Sequence, residues 1–456
     1  MCMGRFSLRG SGFFIEGGGP MQNSQGVKPV GWDERNLTGM DFLLLWAGAA
    51  VSLAEIWAGG LLVPLGLMGG ILAVLLGHLI GNTPLALGGI IGSRTGLPTM
   101  VNVRPSFGVR GSYFATVLNL VQLVGWTGVM IWIGGQAAQA VWPFPGAGFQ
   151  GWAIVAGVVT TLWAVLGHRF WKWIQRIAVT GLLLLCGVMT YVMFGQYGWD
   201  HLAGIPSKDS MPFMVGLDLV IAMPISWLPL VCDYSRFSRS ASTAFWGTWI
   251  GYFLVSSWMF IVGLSAALAT QSATPDSVVM QLMVKVGLAL PAIIIVLFST
   301  FTTTFLDIYS TAVSSLNIWP ELGERRGSIL CGILGTGLAL VFPATAYEAF
   351  LLFVGSVFCP LFGIVLADYF FLRRKSHPER PLHRQDLYWY SAGFNPWAFV
   401  SWGAGFGLYH LVQKTTSLGS SIPSLVAAGL IYLFLMVLWK PVAEMKPASA
   451  ATGGQR

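Results

Sequence analysis

The chain has 456 residues, of which 55% are hydrophobic and 9% charged, with a mean hydropathy of +0.69. A soluble globular domain carries roughly a quarter charged residues, so the composition excludes one and indicates a polytopic membrane protein without a separately folding soluble part. The net charge of +7 would point to nucleic acid in a soluble chain, but here the basic residues cluster in short loops, where they set orientation.

Residues 1–41 read as a cytoplasmic N-terminal segment. Residues 1–20 are glycine-rich and lack the apolar core of a signal peptide, and Met21 offers an alternative start. Apolar runs then predict about twelve membrane spans, near 42–68, 70–92, 114–140, 151–167, 175–196, 213–232, 242–268, 287–316, 328–345, 347–371, 393–413 and 422–439. A short cytoplasmic tail, 441–456, follows the transmembrane domain of 42–440.

Span one, Phe42–Met68, carries Glu55 near its middle, with Gly59, Gly60 and Pro64 after it. A mid-membrane carboxylate costs at least a few kcal/mol, so it faces a cavity or a partner. Glycine and proline are expected to open the helix there and to expose backbone carbonyls. Carbonyls, a buried acid and small residues such as Ser52 are what a transporter needs to hold a cation and a polar solute. The plainer alternative is a kinked helix whose Glu55 pairs with another helix.

Span three carries Gln122 and Trp126, four apart and so on one helical face. Beside Gly125 and Gly128 the indole offers a surface on which an aromatic ring can stack, and the Gln122 amide can read ring heteroatoms. Ordinary helix packing is the alternative in a chain with 20 tryptophans. Span six carries Pro224 and Pro229, which predict a broken helix with Ser226 and Trp227 at the break. Asp233 and Arg236 at its end read as an ion pair at the cytoplasmic edge. Span eight carries Ser299, Thr300, Thr302, Thr303 and Thr304, then Asp307. Its hydroxyls can ligate a small cation or bond back to carbonyls one turn earlier. Asp307 shares a helical face with Thr303. Two buried acids, Glu55 and Asp307, without a buried lysine or arginine imply a shared proton, a cation or a polar ligand.

Basic residues alternate along the loops. Arg94, Arg104 and Arg110 follow span two; His168, Arg169, Lys172 and Arg176 follow span four; Arg236 and Arg239 follow span six; Arg325 and Arg326 follow span eight; Arg373, Arg374, Lys375, Arg380 and Arg384 follow span ten. The other loops hold Lys208, Lys285 and Lys414. This asymmetry places both termini in the cytoplasm. Cys186, Cys232, Cys331 and Cys359 lie in apolar segments without ligand spacing and, with Cys2, suggest neither disulfides nor a metal site. No catalytic constellation, phosphate-binding loop or channel filter is visible, so the chain is not expected to be an enzyme or a channel.

Several stretches together resemble the nucleobase:cation symporter-1 family, which includes the cytosine permeases. They are Thr95-Gly-Leu-Pro-Thr-Met100, Arg104-Pro-Ser-Phe-Gly-Val-Arg-Gly-Ser112, Gly125-Trp126, Asp233-Tyr-Ser-Arg-Phe237 and Ala367-Asp-Tyr369. The resemblance covers about residues 30–440. It implies an all-α leucine-transporter-type fold with two inverted five-helix repeats, 42–196 and 213–371, and two extra helices in 393–439. It also implies a cation site at Gly48, Val51, Thr302 and Thr303, and ring stacking on Trp126. Where a family member can carry a ring-reading glutamine, this chain has Met130, so Gln122 is a candidate on its own spacing. Where a second aromatic usually sandwiches the ring, it has Pro224, with Trp227 one turn on. Ser52–Gly60 and Thr302–Tyr309 are more similar to the hydroxymethylpyrimidine transporter branch, whose ligand is an aminopyrimidine precursor of thiamine. Its amino group and ring nitrogen would suit a carboxyl at Glu55 or Asp307.

The resulting expectation is a secondary active pyrimidine importer of the cell (inner) membrane, working by alternating access. Hydroxymethylpyrimidine is its first candidate substrate and Na+ or H+ its coupling ion. A cytosine-, purine- or allantoin-type permease is the alternative. Its partners would be the solute and the bilayer, with no nucleic acid, no cofactor and no metal beyond the coupling cation.

Overall fold

The computed structural model describes residues 28–166, 171–207, 211–270, 289–373 and 388–439. The expected segments 1–20 and 441–456 lie outside the described residues. So do Cys2, His168, Arg169, Lys208, Lys285, Arg374, Lys375, Arg380 and Arg384, and the side chains of Lys172, Arg176 and Thr302.

Each predicted span is a helix or a broken helix. In order they are Gly39–Ala50 with Leu53–Gly60, then Gly66–Thr95, Gly111–Val141, Gly148–Leu166, Trp171–Tyr191, Phe213–Trp227 with Val231–Ser235, Ala241–Thr270, Ala289–Ser315, Gly323–Val341, Ala346–Ala367, Pro396–Thr415 and Ser421–Trp439. Eight are long and apolar enough to cross a bilayer alone, and the bent pair of span one makes a ninth. Helices of 27, 19 and 20 residues also form where spans eight, nine and eleven are expected. Among the described residues no strand forms; isolated bridges join Leu37 to Ser238 and Ser391 to Phe394.

Span one breaks eight residues earlier than its glycines suggest. The first helix stops at Ala50, Ser52 is extended, and the second helix leaves at 58°. Ser52 Oγ accepts from the Glu55 N–H and caps the new helix. The pattern Ser52-x-x-Glu55 is a helix-start signature inside an apolar run. The short helix ends at Gly60, and Pro64 sits in the 3-10 turn Val63–Leu65 that follows, so a second interruption does fall at these residues. A Cβ on Gly59 would strike the Phe260 carbonyl of span seven, and one on Gly263 would strike the Ile56 carbonyl. These glycines let two helix backbones touch. Gly263→Val should therefore lower the melting temperature of the purified protein, since overpacking typically costs about 1–3 kcal/mol. An unchanged melting curve would mean that spans one and seven part freely.

Span six breaks as its prolines predict. A 3-10 turn, Leu228–Leu230, holds Pro229 and separates the two helical pieces. Ser226 Oγ donates to the Met223 carbonyl, and Gln122 Nε2 donates to the Ser226 carbonyl, at 2.6 and 2.8 Å. Two breaks thus meet at the centre of the bundle, one from span one and one from span six.

The stretches that carry the family resemblance tie loops to helix ends. Asp233 Oδ1 accepts from the Thr99 N–H and hydroxyl, whereas Arg236 Nε donates to the main-chain carbonyl of Asp233. The Asp233 carboxylate thus also anchors the loop after span two. An ion pair joins Asp368 and Arg373, 2.8 Å apart, with Ser106 and Tyr432 donating to the same carboxylate. Arg104 donates from two nitrogens to Asn317 Oδ1 at the end of span eight. Asp218 of span six accepts from the N–H groups of Ser420 and Ser421 at the start of span twelve.

Candidate functional site

The two helix breaks and the faces of spans three and eight enclose a small cavity. Ser52 and Glu55 come from span one, Trp126 and Met130 from span three. Met223, Ser226 and Trp227 come from span six, Thr303 and Asp307 from span eight. Its free volume, about 20 Å³, has room for a water rather than for a six-membered ring. A pyrimidine needs the walls to part, and flexible Met130 and Met223 are the side chains best able to yield.

The aromatic wall is braced. Trp126 meets Tyr347 and Phe350 edge to face, with ring centroids 6.2 and 5.1 Å away. Trp227 packs edge to face on Trp46 at 6.0 Å. Sequence reading missed a stack beside it: Trp57 lies between Trp132 and Tyr347, at 5.3 and 4.1 Å. The Tyr347 hydroxyl donates to the Ala54 carbonyl, fixing the short helix of span one to span ten.

The two acids differ in their surroundings. Glu55 is buried, and Tyr252 of span seven donates to its Oε1 at 2.6 Å while Ser256 lies 2.7 Å from Oε2. Asp307 is equally buried, but its Oδ2 has no hydrogen-bond partner among the described residues. A buried acceptor left unpaired costs about 1–3 kcal/mol, more if charged. Asp307 is thus the wall residue most in need of a donor.

Six of the seven expected solute residues line the cavity: Trp126, Glu55, Ser52, Ser226, Trp227 and Asp307. Gln122 does not. Its amide nitrogen is spent on the Ser226 carbonyl and on Asn119 Oδ1, so it braces the break in span six. Sequence reading missed Ala49, Ala54, Met223 and Leu230 as wall residues. Their only signal was proximity to the breaks. Of the expected cation ligands, Thr303 lines the cavity, Gly48 lies in the last turn of the first helix of span one and Val51 lies at its break. The described hydroxyls of span eight do not all turn the same way. Thr304 bonds back to the Thr300 carbonyl at 2.7 Å, whereas Thr303 faces the cavity.

A family model described as permease for cytosine/purines, uracil, thiamine, allantoin matches residues 29–437. The cytosine permease of Escherichia coli (strain K12) is 30% identical over 284 residues, 62% of this chain and 66% of that protein. This match spans just under two thirds of the relative's length. The hydantoin permease of Microbacterium maritypicum is 23% identical over 337 residues, 68% of this chain and 67% of that protein. Among solved structures, the nucleobase-cation-symport-1 family transporter MHP1, closed with bromovinylhydantoin bound, superposes with a TM-score of 0.81 at 20% identity, covering 91% of this chain and 95% of that one. A Na+-coupled sialic acid symporter superposes at 0.62 with 13% identity, covering 90% and 91%. At these identities the likeness is one of fold, and the fold is the leucine-transporter type.

Proposed function

Because the chain belongs to the family of permeases for cytosine/purines, uracil, thiamine and allantoin, we propose that it imports a pyrimidine across the cell (inner) membrane, with both termini cytoplasmic. Hydroxymethylpyrimidine is the first candidate. One observation carries this reading: a buried carboxylate oxygen on Asp307, without a hydrogen-bond partner among the described residues, shares a cavity wall with Trp126. An aminopyrimidine offers a flat ring for the indole and an exocyclic amine for the acid. Ser226 and Ser52 supply further polar edges. Glu55 is the second candidate for the amine, since each carboxyl oxygen can accept more than one bond. Sodium is the proposed coupling ion, with Thr303, Thr302 and the carbonyls of Gly48 and Val51 as hard oxygen ligands.

Cytosine is a second reading, favoured by the 30% identity to the E. coli cytosine permease. It presents the same pairing of amine and ring nitrogen. Uptake of radiolabelled 4-amino-5-hydroxymethyl-2-methylpyrimidine into proteoliposomes, with cytosine as competitor, separates the two. Excess cytosine should leave most uptake intact; full inhibition at equal concentration would favour cytosine. No uptake of either would sink the pyrimidine assignment. In the same vesicles an imposed sodium gradient should drive uptake. Thr303→Ala should weaken the sodium dependence more than the melting temperature. Wild-type sodium dependence in that variant would remove Thr303 from the ion site.

A further inference from the structure

Behind the cavity wall, Ser256 of span seven links Glu55 of span one to His78 of span two. Ser256 Oγ lies 2.7 Å from Glu55 Oε2 and 2.5 Å from His78 Nε2, and His78 Nδ1 lies 2.9 Å from the Val74 carbonyl oxygen. All three side chains are buried. The carbonyl carries no hydrogen, so Nδ1–H donates to it; the other tautomer would set a bare nitrogen against that oxygen. Three contacts therefore need three hydrogens. Ser256 supplies one and a neutral imidazole supplies one, whereas an ionised carboxylate supplies none. The neighbouring hydroxyls are already committed: Tyr252 donates to Glu55 Oε1, and Tyr347 of span ten donates to the Ala54 carbonyl. Asp307, the other acid on the cavity wall, is not part of the chain of bonds.

We propose that Glu55, Ser256 and His78 form a proton-binding site that holds one proton in this conformation. The site is separate from the oxygen ligands proposed for the cation. It rests on hydrogen counting alone and stands whichever solute is carried. Placing the proton on Glu55 leaves no net charge buried and satisfies every group. Glu55 O–H then donates to Ser256, Ser256 O–H to Nε2, and Nδ1–H to Val74. A shift of each of the first two hydrogens by one place breaks the Glu55 O–H bond, forms a new one on Ser256 and protonates Nε2. The proton thereby passes from the cavity wall to span two without displacing a heavy atom. Because Glu55 also lines the cavity and sits beside the hinge at Ser52, opening of the site exposes this proton to water. The carrier thus has a protonation step tied to the position of span one.

The test uses the full-length protein in lipid nanodiscs, without substrate. At neutral pH the infrared spectrum of the wild type should contain a carboxylic-acid C=O band that Glu55→Gln lacks. Histidine nitrogen NMR of the wild type, assigned by comparison with His78→Gln, should show His78 protonated at Nδ1 and bare at Nε2. An imidazolium at His78 beside an ionised Glu55 also counts one bound proton and supports the site. An ionised Glu55 beside a neutral His78 overturns it. Ser256→Ala keeps both ends and cuts the link, so it should bind the proton about tenfold more weakly, the equivalent of one lost hydrogen bond. Unchanged proton binding in that variant counts against the relay, and the wild-type spectra decide the matter even if a variant fails to fold.

Discussion

Asp307→Ala should weaken binding of the aminopyrimidine by roughly fivefold to a hundredfold, because leaving a buried hydrogen-bonding group unpaired costs about 1–3 kcal/mol. The expectation rests on the buried Oδ2 in the cavity wall, which has no partner among the described residues. A ligand amine pairs that oxygen and removes a cost that the free protein bears. Asp307→Asn keeps an acceptor of similar shape and should fall between wild type and alanine. The discriminating ligand is the analogue with hydrogen in place of the 4-amino group. It should bind wild type weakly and lose little more on Asp307→Ala. Equal losses for both ligands would assign Asp307 to the ion or the fold and return the amine to Glu55. The same series at Glu55 has a different prospect. Wild type, then Gln, then Ala is the expected order of affinity. Alanine there also strips the partner from Tyr252 and Ser256, so a lower melting temperature should accompany any loss of binding.

Trp126→Ala should cost tenfold or more in affinity, and Trp126→Phe should keep part of it. Stacking a base on an aromatic side chain is worth on the order of 1–3 kcal/mol, and phenylalanine still offers a π-face. The indole is held edge to face by Tyr347 and Phe350, so it is oriented before a ligand arrives and little ordering remains to be done on binding. Alanine also leaves those rings without a neighbour, so binding is to be compared only after the melting curve shows folded protein. Isothermal titration with the same aminopyrimidine measures both variants. An affinity unchanged in folded Trp126→Ala would return this residue to packing.

Length and patterning of apolar runs were enough to place a helix at each expected span, because an α-helix in a bilayer satisfies its own backbone and needs only about 20 apolar residues in a row. Proline was equally legible at one position: Pro229 removes an N–H group from the ladder and sits in the turn where span six breaks, whereas the helix runs on through Pro224. Glycine was not. Gly59 can serve a bend or a close contact, and the choice depends on Phe260 and Gly263 about 200 positions away. The break at Ser52 had a local signal in Ser52-x-x-Glu55 that an apolar context concealed.

Residue type and helical face alone brought Trp126, Thr303, Asp307, Ser226 and Glu55 under suspicion, since polar groups in a membrane helix must turn toward a partner or a cavity. What each one does there is a tertiary matter. Gln122 shares a helical face with Trp126, yet its amide nitrogen is taken up by the Ser226 carbonyl at the break in span six. Glu55 and Asp307 look alike as mid-span acids. One has two hydroxyl partners on span seven, 197 and 201 positions along the chain, and the other has an oxygen with none among the described residues. Helix formation and membrane insertion are governed by neighbours within a turn or two, so the sequence determines them locally. The pairing of a buried donor with a buried acceptor depends on which helix faces are pressed together, and only the packed bundle decides that.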